Sequence, residues 1–267
     1  MTVSITAIVV TYNSGTTIAQ CLTCLQEALQ EIKGDIVIVD NASKDDTIQQ
    51  AQQVAPDVLL LQMPRNLGLA KALNIAARRT VSDYILTLNP DTRITHSALL
   101  EMLAFAERNP RAGVISPKLL YPNGELQYSC RRFSSPLTYL ARRTPFGRTS
   151  WGQRILSQLF MLDYAHDIPT KVPYTFEAAM LVRRKAFVEV EEMDEGFFLY
   201  CEDEDLCERM WLAGWEVWYV PQAQVIHAYA RASQGFNRLT LRLIESAMRL
   251  FLKRLKRHGY RQGRRPV

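Results

Sequence analysis

The sequence predicts an α/β fold of the Rossmann-like kind, a mostly parallel central sheet flanked by helices, and three observations carry the prediction. Short, nearly continuous β-branched or leucine-rich runs alternate with amphipathic stretches through the N-terminal half, the pattern of βα units whose strands are buried on both faces. Each of four successive runs closes on polar residues, as expected where strand ends line a ligand crevice. The 267 residues are 48% apolar and 22% charged, which suits a globular chain long enough to bury a substantial interior.

The first strand is expected in ITAIVVTYN (5–13), followed by a helical stretch to about Ile32 that holds Cys21 and Cys24. No second CxxC follows and no glycine or proline flanks the pair, so these read as helix-core cysteines rather than a redox or zinc motif. DIVIVDNAS (35–43) supplies the second strand, ahead of a helix near 44–54. VLLLQMP (58–64) supplies the third, ahead of LGLAKALNIAARR, and YILTLNPD (84–91) the fourth, ahead of HSALLEMLAFAERN.

These strand ends bring Thr11, Tyr12 and Asn13, then Asp40 and Asn41, then Arg65 and Asn66, then Asn89 and Asp91 to one rim. Asn, Asp, Ser and Thr also favour helix caps and turns, and Asn13, Ser43 and Asn66 read first as such. Asp40 and Asp91 read as ligand-facing, because four polar strand ends at one rim exceed what capping requires. Pro90 fixes the backbone before Asp91. A carboxylate placed there can hold a divalent cation, since Mg²⁺ takes one or two carboxylates plus substrate phosphates. No GxGxxG or GxxxxGK follows any strand, which disfavours a nicotinamide enzyme or a P-loop nucleotidase.

The net charge of +5 is concentrated in KRLKRHGYRQGRRPV (253–267), which points to an anionic partner for the tail rather than for the whole protein. The start, MTVSITAIVVTYN, lacks the basic n-region and long apolar stretch of a signal peptide, and no segment approaches the roughly 18 apolar residues of a membrane span. The chain therefore reads as cytoplasmic. Its five cysteines are an odd number and Cys130, Cys201 and Cys207 lie scattered, which argues against a disulfide framework.

In the second half, VPYTFEAAMLVRRKAF (172–187) predicts a strand and a helix start. MDEGFFLYCEDEDLCERMWLAGW (193–215) then opens a helix on Glu202, Asp203, Glu204 and Asp205, with Leu206, Met210 and Leu212 or Ala213 facing inward. Acids in a first turn complement the helix dipole, and Asp205 with Arg209 makes an i,i+4 pair. That accounts for two of the acids. The aromatic FFLY ahead of them suggests another use, because a carboxylate against an apolar wall loses solvation and gains proton affinity, as a general base requires. VPQAQVIHAY places His227 at the end of a further strand, where structural and ligand roles both stay open.

TYNS, VDNASKDD, NLGLAKALN and LNPDT at this spacing, with MDEGFFLYCEDEDLCER downstream, resemble the inverting family 2 glycosyltransferases of the GT-A fold, in particular their rhamnosyltransferase-like branch. The resemblance covers roughly residues 5–230. It implies a nucleotide-diphospho-sugar donor, dTDP-rhamnose among the choices, a glycan or lipid-linked acceptor in cell-surface polysaccharide synthesis, and a Mg²⁺ or Mn²⁺ ion. Donor contacts are implied for Thr11, Tyr12, Asn13, Asp40, Asn66, Asn89 and Asp91, with Asp40 at the base and Asn89 standing where the family often has an aspartate. Asp91 and His227 are implied at the metal, Asp203 as the base, and Glu202 and Asp205 on the acceptor side.

The implied division is a nucleotide-sugar half (1–133), an acceptor and catalytic half (134–235), and a C-terminal helix and tail (236–267). Glu177 replaces a common family glycine, and VEEMDE (190–195) replaces the usual VGGFDE; both departures fall on the acceptor side. Residues 134–170 carry no readable motif.

Two alternatives stand beside this reading. A sugar-nucleotide pyrophosphorylase needs a glycine-rich basic loop after the first strand, and TYNSGTT has one glycine and no cation. A non-catalytic nucleotide-sugar-binding or nucleic-acid-binding protein is the other; the aromatics of FNRLTLRLIESAMRLFL fall at helical rather than stacking-platform positions, so no nucleic acid is expected. From about Phe236 an amphipathic helix is expected, with Leu239, Leu243, Ala247, Leu250 or Phe251 and Leu255 on its apolar side. Arg238, Arg242, Arg249, Lys253, Arg254, Lys256 and Arg257 form its cationic side. Such a helix either rests on an anionic membrane, at the inner face of the plasma membrane, or packs on the enzyme with a solvated basic face.

Overall fold

The structure is a computed structural model that describes residues 3–228 and 238–262. The alternating runs fold into β1 (Ser4–Thr11), α1 (Ile18–Ala28), β2 (Lys33–Asp40), α2 (Thr47–Val54), β3 (Leu59–Gln62), α3 (Leu69–Ala77) and β4 (Tyr84–Leu88). Next come β5 (Thr92–Arg93), α4 (His96–Arg108), β6 (Ala112–Leu120), β7 (Leu126–Gln127) and β8 (Cys130–Arg131). The stretch without a motif forms α5 (Pro136–Arg143), a 3-10 turn at Pro145–Arg148 and α6 (Ser150–Leu159). The chain continues through β9 (Thr170–Lys171), β10 (Tyr174–Thr175), β11 (Ala179–Arg183), α7 (Arg184–Glu189), α8 (Glu202–Leu212), β12 (Glu216–His227) and α9 (Arg238–Gln262).

The main sheet has ten strands, with the path β3-β2-β1-β4-β11-β6-β12-β5 and with β7 and β9 at its sides. β1, β2, β3 and β4 are mutually parallel. β11 runs against both β4 and β6, while β6 and β12 are parallel. The long strands therefore share one direction except β11. Strand order reverses beside β1, with β2 on one side and β4 on the other, and such a switch point opens a crevice at the carboxyl ends of the strands.

The two faces of the sheet carry separate cores. Ile5, Ala7 and Val9 of β1 pack with Leu22 and Leu25 of α1 and Leu99 and Met102 of α4, whereas Ile8 packs with Leu73 of α3 and Leu206 and Met210 of α8. That division is the two-residue alternation of a strand covered on both sides. On α8 the inward set is Leu206, Cys207 and Met210, and Leu212 is exposed, which corrects its expected inward position. All five cysteines are free thiols, and burial pushes the Cys21 thiol up to about 12, so Cys21 is unreactive core, whereas Cys24, expected in the core with it, is part-exposed.

α9 lies on the enzyme rather than apart from it. Leu243, Ala247 and Leu250 close a third cluster with Phe197 and Cys201. Leu255, expected on the same side, is 69% exposed, and Leu241, Ile244, Met248 and Leu252 form an outward apolar stripe. Residues 236–237 and 263–267, included in the predicted helix and tail, lie outside the described residues.

Candidate active site

The rim at the switch point is built by loops that bond to one another. Asn13 adopts φ 52°; its N–H donates to Ser43 Oγ at 2.9 Å, and its side-chain oxygen accepts from Lys44 N–H at 2.8 Å. Asn66 Oδ1 accepts from Gly68 N–H at 2.9 Å in a turn ahead of α3. These contacts lie within and between the rim loops. Asp40 differs. Its Oδ2 accepts from Ser43 N–H at 3.0 Å, while its Oδ1, buried, has no hydrogen-bond partner, as is also true of Thr11 Oγ1. Two buried polar atoms left unsatisfied at a strand-end crevice are available to a ligand. Tyr12 stands beside them, 47% exposed.

Gly68 joins this rim to the second half. At φ +84° it starts α3 against the loop before α8, where an added Cβ would stand 2.4 Å from Phe198 O, and Leu69 N–H donates to that oxygen at 2.9 Å. Only glycine meets both requirements.

Asn89, Asp91 and His227 meet through strand pairing. β5 pairs with β12 so that Thr92 stands opposite His227, and Ala228 N–H donates to Asp91 O at 3.0 Å. His227 Nε2 then lies 3.3 Å from Asp91 Oδ1 and 3.4 Å from Asn89 Nδ2. Gln127 Nε2 donates to the His227 carbonyl, so its Oε1, 2.9 Å from His227 Nδ1, is the acceptor of the Nδ1 proton. The nitrogen facing the carboxylate is therefore the one with the lone pair. A lone pair and a carboxylate aimed at each other fit a divalent cation or a shared proton between them. Among the described residues no group of three or more His, Cys, Asp or Glu forms a metal cage.

The acidic run divides by helical position. Glu202 and Asp203 open on a cavity of about 220 Å³ that is also lined by Asn89, His227, Glu177 and Glu204. Asp203 accepts two backbone N–H bonds, from Glu204 at 2.7 Å and from Glu177 at 3.3 Å. Burial pushes its carboxyl above the ordinary aspartate range, and the N–H bonds and Arg131 oppose that shift. Burial and then the Asp203 charge push Glu202 up as well. Glu177, the residue in the glycine position, is buried among them and is held well above the glutamate range by burial, Glu202 and Asp203.

Asp205 faces the other way, contrary to its expected place on the acceptor side. Fully buried, it receives Arg209 at 2.8 Å, Lys253 at 2.7 Å and Arg257 at 3.2 Å. Glu204 turns partly the same way, to Arg254 at 2.8 Å and to Ser134.

Residues 6–190 match the family described as Glycosyl transferase family 2. Over 246 residues the chain is 31% identical to the N-acetylglucosaminyl-diphospho-decaprenol L-rhamnosyltransferase of Mycobacterium tuberculosis, with 87% of this chain and 78% of that protein covered. The chain belongs to glycosyl transferase family 2.

A second relative, the rhamnosyltransferase WbbL of Escherichia coli, is 34% identical over 158 residues, 58% of this chain and 55% of its own length. The fold is that of GT-A glycosyltransferases. GalNAc-T7, crystallised with UDP, GalNAc and Mn²⁺, superposes with a TM-score of 0.63 at 16% identity over 85% of this chain and 44% of that one. The 1–349 fragment of Staphylococcus aureus TarS, in complex with UDP-GlcNAc, gives 0.60 at 18% identity over 88% of this chain and 62% of that one. The family sets the chemistry as inverting glycosyl transfer.

In this family 2 chain the loop ahead of the acids is strained. Tyr200 and Cys201 both adopt left-handed backbone, at φ 72° and 67°, a conformation that costs non-glycine residues of order 1–3 kcal/mol each. Tyr139 Oη to Cys201 Sγ at 3.1 Å and the packing of α9 on Cys201 hold it. The basic side of α9 is the clamp: Arg249 and Lys253 meet Asp194 at 2.8 and 2.6 Å, and Arg254 bridges Glu204 and Glu208. The cationic face, expected either on an anionic membrane or in solvent, is thus largely taken up by Asp194, Glu204, Asp205 and Glu208.

Arg254→Met leaves Glu204, 2% exposed, without its cation and is expected to destabilise the fold by about 3–5 kcal/mol in chemical denaturation. Glu245→Gln, which breaks the exposed Arg242–Glu245 pair, is expected to cost less than about 1 kcal/mol. Equal losses in the two variants would show that α9 is not held by buried ion pairs.

The sequence reading missed Arg131, Arg142, Arg143 and Tyr139, which line the cavity, and Gln127, which orients His227. A signal for α5 was present: Ser135 and Thr138 form a reciprocal cap around Pro136 at the helix start.

Proposed function

We propose that this chain transfers a sugar from a nucleotide-diphospho-sugar, with dTDP-rhamnose as first choice, to a lipid-linked acceptor in cell-surface polysaccharide synthesis. The carrying observation is that the half-buried Asp203 carboxylate opens on the same cavity as Asn89 and His227. This supports a base on one side of the anomeric carbon and leaving-group stabilisation on the other. The names of the two relatives support rhamnose, and that of the mycobacterial protein supports a diphospho-lipid-linked N-acetylglucosamine.

In the proposed mechanism Asp40, with Thr11 and Tyr12, holds the nucleoside, and Asn89 orients the donor beside Asp91. Asp203 takes the proton of the acceptor hydroxyl as its oxygen bonds to the anomeric carbon. The bond from that carbon to the diphosphate breaks on the opposite face, its electron pair leaving with the nucleoside diphosphate, and the configuration inverts. Asp91 and His227 would hold a Mg²⁺ or Mn²⁺ ion, which would neutralise the departing diphosphate. Residues 1–133 then serve as the donor half and 134–235 as the acceptor half, with Glu202 beside the base. Asp205 serves the site only through α9.

The test supplies dTDP-rhamnose and a short-chain diphospho-lipid-linked N-acetylglucosamine and follows the products. Nucleoside diphosphate with a rhamnosylated lipid is expected. Pyrophosphate release would favour a pyrophosphorylase, and binding without turnover a non-catalytic role.

The outward stripe of α9 supports a membrane-facing position beside such an acceptor. Among the described residues no helix is long and apolar enough to cross a membrane, but Leu241, Ile244, Met248 and Leu252 line an open groove with Arg249 and Lys256. Apolar insertion contributes more here than charge, because most of the basic side is ion-paired. Each leucine buried from water contributes about 1.5–3 kcal/mol, against roughly 1 kcal/mol for each cation near anionic lipid. The full chain is expected to co-sediment with phosphatidylglycerol vesicles, only partly released by salt, while Leu241→Ser/Met248→Ser/Leu252→Ser stays in the supernatant. Equal recovery of both in the supernatant would refute the membrane, and a concentration-dependent dimer lost in the variant would assign the stripe to a second copy.

A further inference from the structure

Arg142 occupies an unusual position for a guanidinium. It closes α5 one turn after Tyr139, on the same helix face, and it lines the cavity of Asp203. It is largely buried, and among the described residues it makes no hydrogen bond or ion pair. Its heaviest charged neighbour is a second cation, Arg131, and burial together with that neighbour lowers its proton affinity. The guanidinium carbon of Arg131 lies 5.2 and 5.0 Å from the ring centres of Phe160 and Phe176. A part-buried guanidinium with no partner among the described residues and a second cation beside it costs stability, and folded proteins retain such a group where an anion completes it.

The site that encloses them already has a place for the donor's diphosphate, at the β4–β12 rim. The arginines belong to a different wall. Tyr139, on the face of Arg142, bonds to Cys201 in the loop before the base and packs on Phe251 of α9 at 5.7 Å. Leu243 of α9 lines the same cavity. An anion on Arg142 would therefore lie on the acceptor side of Asp203, near the helix whose outer face is apolar. That combination fits a sugar joined to a lipid through phosphate: hydroxyl at the base, phosphates at the cations, chain toward α9.

We propose that Arg142, with Arg131, forms a subsite for the diphosphate of a lipid-linked acceptor. The inference rests on the acceptor class proposed above and adds the residues that recognise it. The planar forks of two arginines suit adjacent phosphates better than one point charge would.

The experiment uses the full chain with Arg142→Gln and Arg142→Lys. Binding of a short-chain diphospho-lipid-linked N-acetylglucosamine is titrated directly with the donor site saturated by dTDP, and KM is measured for that acceptor and for an alkyl N-acetylglucosaminide lacking phosphate. Loss of a charged hydrogen-bond partner weakens binding by about 10- to 100-fold, so Arg142→Gln is expected to lose that much for the diphosphate acceptor, with Arg142→Lys intermediate. The phosphate-free acceptor and the donor are expected to bind all three proteins alike. The thermal midpoint is expected to hold or rise in Arg142→Gln, because among the described residues the guanidinium has no partner to lose.

Unchanged affinity for the diphosphate acceptor would overturn the subsite, and so would a wild-type protein that fails to bind it. A weakened donor would overturn it too, by moving Arg142 to the donor diphosphate. Binding that depends on Arg142 in a wild-type protein that transfers no sugar would leave the subsite standing and refute the proposed function instead.

Discussion

Asp203→Asn is expected to lower transfer by roughly 10² to 10⁴, the range for removal of a general base, while dTDP affinity stays at the wild-type value. The change keeps size and polarity, and its effect on stability is expected to be small for a specific reason. An asparagine cannot accept both N–H bonds that Glu204 and Glu177 donate to the aspartate, and a lost bond costs about 1 kcal/mol. Against this, the substitution removes a negative charge beside Glu202, whose own carboxyl burial and Asp203 hold up. Since a base acts unprotonated, and burial raises the proton affinity of Asp203, kcat/KM in the wild type is expected to fall with decreasing pH. The acid limb should lie above the ordinary aspartate value of about 3.9. Turnover in Asp203→Asn near that of the wild type would remove this residue from the mechanism.

Asp91→Ala is expected to reduce transfer by on the order of 10² to 10³, the usual loss when one stabiliser of developing negative charge is removed. Wild-type transfer is expected to stop in excess chelator and to return with Mn²⁺ or Mg²⁺, and the variant should lose the metal-dependent part of its donor affinity. His227 would be the second protein ligand, oriented by Gln127 through paired contacts to its ring nitrogen and its carbonyl. Orienting partners of this kind are commonly worth 10- to 100-fold in metal affinity, so Gln127→Leu should show a milder form of the same phenotype. Full activity of Asp91→Ala in chelator would reduce Asn89–Pro90–Asp91 to a strand-ending turn.

How far the site could be read in advance differs from residue to residue. Asp40 and Asp91 were legible because they sit where an apolar run stops, and a strand that ends in a buried crevice puts the next side chain there. The place of Asp203 at the cavity was legible from the change of FFLY into EDED. Asn13 and Asn66 share the rim, yet their side-chain oxygens bond to loop N–H groups, a use that composition cannot separate from ligand contact because the same residue types serve both. Asp205 was misplaced for a geometric reason. Successive helix positions turn by about 100°, so within four adjacent acids the first two reach the cavity and the last lies on the side where α9 docks.

The amphipathic C-terminal helix shows the same limit in another form. Periodicity along 238–257 identifies a helix with apolar and basic residues, but not which of its faces turns inward. The enzyme offers that helix a surface rich in acid, Asp194, Glu204, Asp205 and Glu208, so its cations turn in along with Leu243, Ala247 and Leu250 while Leu241, Met248 and Leu252 remain outside.

By itself the sequence determined the βα units, the polar rim at their carboxyl ends and the acidic run that opens α8, because each depends on the local period of apolar residues and on what interrupts it. Tertiary structure alone decided the rest. Pairing of β5 with β12 brings His227 to Asp91, insertion of β11 between β4 and β6 joins the halves into one sheet, and docking of α5 beside the loop before α8 puts Arg142 at the cavity of Asp203. These are contacts between segments far apart in the chain, whose partners are selected by the shape and charge of surfaces that exist only once the sheet has formed, and no local pattern in the chain encodes them.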